Sequence, residues 1–117
     1  MIRTFTVLAT LAGLALALVT PAGSAPSATV VNVIAGKPSE LKFTFSKKTV
    51  AKGKVTFKLV NKGKLEHDLK IGGKKTPRLK TGKTATLTVT LKAGKAPFLC
   101  TVPGHAAGGM KGTLTVK

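Results

Sequence analysis

The chain contains no tryptophan, no tyrosine, one cysteine, two histidines and only three acidic residues among 117. Each shortage excludes something. A single cysteine, Cys100, cannot pair internally, so no disulfide framework holds the fold. Glu40, Glu66 and Asp68 are too few to furnish paired-carboxylate or Ser-His-Asp chemistry, and an enzyme is not expected. Lysines are spread one or two at a time, without interleaved aromatic residues, so a nucleic-acid partner is not expected either. Apart from the first two dozen residues there is no long apolar run, and helical periodicity is almost absent.

Those first residues have the layout of an export leader. Arg3 is a thin positive region, Val7 to Val19 an apolar stretch too short for a comfortable membrane span, and Pro21 to Ala25 a small-residue cleavage region. The reading is a signal peptide over 1–25, cut somewhere between 24 and 28. A single domain over 26–117 follows, exported to the periplasm or secreted. About 90 residues suffice for one small domain.

That domain alternates. Leu41, Phe43 and Phe45 share one face of Glu40–Ser46, and Val55, Phe57 and Leu59 share one face of Lys54–Val60. In Thr84–Leu91, Ala85, Leu87, Val89 and Leu91 oppose four threonines, and Leu114 and Val116 point inward near the end. Ala28–Ile34 and Pro97–Val102 add two strands. Turn signals at Lys52-Gly53, Lys62-Gly63, Gly72-Gly73, Thr81-Gly82 and Ala93-Gly94 separate the runs. Seven or eight short strands at this spacing predict an all-β, antiparallel two-sheet sandwich. Gly72 to Lys83, basic and irregular, is expected to be an exposed crossing between sheets.

Into this pattern the rare residues fall together. The segment CTVPGHAAGGM carries Cys100, His105 and Met110 at even spacing, and the other histidine, His67, lies in an alternating stretch that puts it inward with Leu65, Leu69 and Ile71. Taken singly, a buried histidine, cysteine or methionine is ordinary core. Here they are the only cysteine, both histidines and the only methionine besides Met1. One thiolate, two imidazoles and a weak thioether form the donor set of a mononuclear blue-copper site. A thioether is a poor zinc ligand, and no carboxylate is required, which disfavours hard cations. One cysteine limits the site to one copper ion. Pro103-Gly104 turns the chain so that His105 can point back towards Cys100, and Gly108-Gly109 permits a second bend before Met110.

His67 together with the Cys100-x4-His105-x4-Met110 loop, followed by Gly112, resembles the cupredoxins, with a loop spacing most similar to the rusticyanin and auracyanin type. The resemblance covers about Glu40 to Lys117. It implies a Greek-key sandwich, a type 1 copper cycling between Cu(II) and Cu(I), and one-electron transfer between larger redox partners. Phe98 stands where many members place an aromatic. Many relatives have asparagine after the first ligand histidine, where this chain has Asp68. A carboxylate there can accept from the Thr101 hydroxyl, and its charge favours Cu(II).

The formal net charge is +17. Such a field attracts anionic partners, so an acidic redox protein docking near His105 is expected, with peripheral contact to an anionic envelope surface as a further option. Like charge disfavours close self-association, which predicts a monomer. The alternative function is an exported copper carrier or delivery protein that uses the same four residues without a redox relay.

Overall fold

Apolar residues alternating with lysine and threonine in Lys54–Val60 can send one set to a core and the other to water only in an extended conformation. The computed structural model describes residues 28–117, and there this segment lies within a nine-residue strand whose Val55, Phe57 and Leu59 are buried. The leader expected over residues 1–25 lies outside the described residues.

Nine strands appear among the described residues: β1 (Thr29–Ala35), β2 (Phe43–Phe45), β3 (Thr49–Val50), β4 (Gly53–Asn61), β5 (Lys70–Ile71), β6 (Lys74–Lys75), β7 (Thr84–Leu91), β8 (Gly94–Leu99) and β9 (Lys111–Val116). They form two sheets, ordered β2-β1-β4-β7 and β3-β9-β8-β5-β6. The inward residues of both sheets make one core, including Val31, Val33, Phe57, Leu59, Val89, Ile71 and Leu114. This is a β-sandwich, as the alternation predicts.

Its sheets are mixed rather than wholly antiparallel. Strand β1 runs parallel to β4, from Thr29 opposite Val55 to Ala35 opposite Asn61, and β3 runs parallel to β9. The reason is topological. Residues 36–52 carry the chain through β2 and across to β3 in the other sheet before β4 returns beside β1, and a crossover of that length permits parallel pairing.

A second departure concerns residues 72–83. Instead of merely crossing between sheets, they supply the edge strand β6, and Thr76 and Leu79 are buried. Leu79 exchanges two backbone hydrogen bonds with His67, at 2.8 and 3.1 Å.

Four phenylalanines knit the sheets together on the side of β2. Phe45 stacks on Phe98 with centroids 4.2 Å apart, and edge contacts join Phe43 and Phe57 to this pair. Phe98 lies opposite Gly112 in the β8–β9 register, and a Cβ at Gly112 would stand 2.5 Å from the Phe98 ring. Glycine at 112 therefore makes room for the ring two residues before Cys100.

Candidate metal centre

Strand β8 ends at Leu99, and Cys100 is the first residue beyond it, 1% exposed. The chain then bends out and comes back to Met110, which is fully buried. Its neck is closed by main-chain bonds: Cys100 N–H donates to Met110 O, and Met110 N–H donates to His105 O, both at 3.0 Å. Between these points three more bonds of 3.0 Å make successive tight turns, from His105 to Val102, Gly108 to Gly104 and Gly109 to Ala106. Gly104 and Gly109 have φ of +84° and +111°, a backbone region that disfavours side chains. The Pro/Gly content thus gives a turn-built loop with no helix.

His67 arrives from the opposite direction and is fully buried, like Leu69 and Ile71. Leu65, expected on the same face, is instead 50% exposed, while Asp68 is buried. Alternation fails because this stretch is mostly a loop, with extended pairing only at the His67–Leu79 bridge and in β5. Polar side chains hold it. Asn61, buried at the end of β4, donates from Nδ2 to Leu65 O (2.8 Å) and Leu79 O (2.7 Å), and accepts from Gly63 N–H at 2.8 Å. Glu40, from the β1–β2 connection, accepts from the N–H groups of Lys64 (3.0 Å) and Leu65 (2.7 Å) and lies 2.8 Å from His67 Nε2.

At the end of the sandwich three donors converge. His67 Nδ1 and His105 Nδ1 are 3.2 Å apart, and Cys100 Sγ lies 4.0 Å from the first and 3.6 Å from the second. All three atoms fall within 4.8 Å of one another. Asp68 joins the two segments by accepting from Thr101 N–H at 2.6 Å and from the Thr101 hydroxyl. This is the contact anticipated for a carboxylate at that position. The electrostatics follow the burial. Desolvation pushes the Cys100 thiol above its ordinary range and lowers His105, which the neighbouring His67 lowers further. Glu40 is held at about 2, chiefly by the two backbone N–H groups it accepts.

The sequence matches the cupredoxin-like domain family over residues 7–116. The chain belongs to that family. Among solved structures, this cupredoxin superimposes on auracyanin from Roseiflexus castenholzii with a TM-score of 0.61, at 25% identity over 78% of this chain and 98% of that one. Rusticyanin from Thiobacillus ferrooxidans gives a TM-score of 0.66 at 23% identity, over 75% of this chain and 76% of its own, and shares the fold. A blue copper protein of Pisum sativum is 50% identical over 40 residues, 33% of this chain. The cupredoxin spans only 21% of that plant protein's length.

The residues present fit the metal that the family implies. Two imidazole nitrogens and a buried thiol, with no carboxylate oxygen in the cluster, suit copper better than calcium or magnesium. One copper ion is the cofactor that this donor set and the blue-copper relative support. His67, Cys100 and His105 are brought together, and Met110 closes the same loop by its main chain. Two supporting residues escape a motif-based reading of the sequence. Asn61 continues the inward face of β4 after Val55, Phe57 and Leu59, and a polar residue at such a position is its one signal. Glu40 is one of three acids in a strongly basic chain, and that rarity is its own.

Proposed function

We propose that this cupredoxin is an exported blue-copper electron carrier, whose metal would be held by His67, Cys100 and His105, with the Met110 thioether as a weak fourth donor. The convergence of His67 Nδ1, His105 Nδ1 and Cys100 Sγ within 4.8 Å carries the reading. Bound copper supplies a one-electron couple there. The protein's part is to keep the donors fixed. His67, Cys100 and Met110 are each at most 1% exposed, and the Cys100–Met110 and Asp68–Thr101 links tie both ligand segments to the sheets. Fixed donors keep reorganisation small when the charge changes.

His105 is the half-buried member, in a loop whose exposed residues Pro103, Gly104, Ala107 and Gly108 carry no charge. A redox protein can approach that edge without desolvating ionic groups, while the basic surface draws an acidic partner. No helix among the described residues is long and apolar enough to cross a membrane, and the sequence pattern of residues 1–25 supports export.

Burial of three donors favours a relay over a delivery protein, which must surrender its copper. The test is to add Cu(II) to the mature protein and record its visible spectrum. An intense thiolate-to-copper band that is lost in C100S is expected, followed by repeated reduction and re-oxidation without transfer of copper to a chelator. A C100S variant that binds copper with an identical spectrum defeats the ligand assignment. Ready loss of copper on reduction defeats the relay and leaves the delivery role.

A further inference from the structure

The ligand set leaves one charged group beside the metal cluster without a role. Glu40 sits on the β1–β2 connection, far from the ligand loop in sequence, yet its carboxylate lies against the outer nitrogen of His67. It has three donor partners: Leu65 N–H and His67 Nε2 at Oε1, and Lys64 N–H at Oε2. A carboxylate surrounded by N–H donors acts as an ionised acceptor, so the His67 nitrogen facing it carries the hydrogen. In a singly protonated ring that hydrogen at Nε2 leaves Nδ1 bare, the nitrogen that faces Cys100 Sγ and His105 Nδ1.

The surroundings are shaped for this contact. A Cβ at Gly63 would lie 2.6 Å from Glu40 Oε1 and 2.9 Å from His67 Nε2. A Cβ at Gly36 would meet the Gly63 backbone at 2.4 Å. Lys62 N–H donates to Ala35 O at 2.9 Å, which fastens the two connections together beside that contact. Two glycines at the crossing let the Glu40 connection lie flush on the His67 loop, so the carboxylate is delivered by fitted backbone rather than by a free surface side chain.

We propose that Glu40 is the positioning residue of the copper centre: it fixes His67 as the Nε2–H tautomer with Nδ1 turned to the metal, and it sets a negative charge one imidazole ring away that favours Cu(II). The inference rests on the copper reading for its second half only. A ligand histidine whose far nitrogen donates to a carboxylate is a better base and is oriented before metal arrives. The charge acts together with that of Asp68, which holds Thr101 beside Cys100, and the two oppose the excess positive charge of the chain, which favours Cu(I).

The test has two arms. In the metal-free protein, long-range 1H–15N correlation spectra of the imidazoles read the tautomer directly. Wild type is expected to show His67 wholly as Nε2–H, and E40A to show a mixture of tautomers. In the copper-loaded protein, E40Q keeps the shape and an oxygen for Leu65 N–H and His67 Nε2, removes the charge and turns its amide nitrogen to Lys64 N–H, which loses its acceptor. It is expected to retain the thiolate band while shifting the Cu(II)-to-Cu(I) ratio at fixed ambient potential about tenfold towards Cu(I), the scale of a unit charge acting across one ring at intermediate dielectric. A His67 that is Nδ1–H in wild type, or a tautomer unchanged in E40A, overturns the positioning role. An E40Q ratio equal to that of wild type overturns the electrostatic one. If E40A does not fold, wild-type spectra and E40Q decide the two halves. Absence of any thiolate band in wild type would instead refute the copper reading, and the metal-free tautomer would still judge the positioning role.

Discussion

At the scale of single residues the proposed ligand cluster depends on side chains outside the donor set. Asp68 is fully buried, and both its oxygens are spent on Thr101, the residue after Cys100. Removing the carboxylate leaves the Thr101 N–H without its acceptor, and an orphaned, partly buried donor costs about 1–3 kcal/mol. D68A is therefore expected to lose that much stability in chemical denaturation of the metal-free protein. D68N keeps an oxygen for Thr101 N–H and offers an amide hydrogen to the rotated hydroxyl, so it is expected to lose less than half as much. In the copper form both are expected to raise the potential in a redox titration, by removing negative charge. A D68A variant as stable as wild type would show that the Asp68–Thr101 link does not join the two ligand segments. The pairing is also where residue-level reading of the sequence reached furthest. Cys100, His105, Met110 and His67 stand out by rarity and spacing, and Asp68–Thr101 follows from chemistry at adjacent positions. Glu40 was invisible in that way because its partner is 27 residues distant and only the β1–β2 crossing brings them together.

At the scale of elements, alternation is reliable where a strand is long and one face is covered. It identifies the inward sets of β4, β7 and β9 because nine, eight and six consecutive residues are held to a period of two by ladder bonds. It misplaces Leu65 because residues 62–66 follow the demands of Asn61 and Glu40 rather than a ladder. Parallel pairing of β1 with β4 is likewise absent from local pattern, since direction is set by where a crossover ends. The β8–β9 ladder makes a sharper prediction. In G112A the new methyl must enter space occupied by the Phe98 ring, whose nearest atom stands 2.5 Å from that position. Overpacking of this kind costs about 1–3 kcal/mol. The strain falls on β8, which ends beside Cys100, so the thiolate band of the copper form is expected to shift as well. Shortening the ring relieves the clash: the double variant F98L/G112A should be destabilised by less than the sum of its parts. Strict additivity would mean that the two residues do not meet.

At the scale of the whole molecule the dominant property is charge. Twenty lysines and arginines against three acids produce a field that acts on any charged reaction partner before contact. The field is screened within about 8–10 Å at physiological ionic strength, so its effect on encounter rate is a function of salt. Two small inorganic reductants of opposite charge separate this field from the intrinsic reactivity of the site, because neither needs a shaped docking surface. Hexacyanoferrate(II), a multivalent anion, is expected to reduce the Cu(II) form rapidly at low salt and more slowly as salt rises. Hexaammineruthenium(II), a cation, is expected to show the reverse trend from a slower start. If both react at the proposed His105 edge, they meet uncharged loop residues and the field of nearby lysines, Lys42 among them, its ammonium close to Gly109. Stopped-flow rates against ionic strength therefore report the sign of the field where these reductants meet the centre. Opposed slopes for the two reductants would mean that the reacting edge lies in a positive field, as the proposed steering of an acidic partner requires. Slopes that are both flat would mean that the positive charge lies too far from the loop to guide electron transfer, and its purpose would have to be sought on another face of the sandwich.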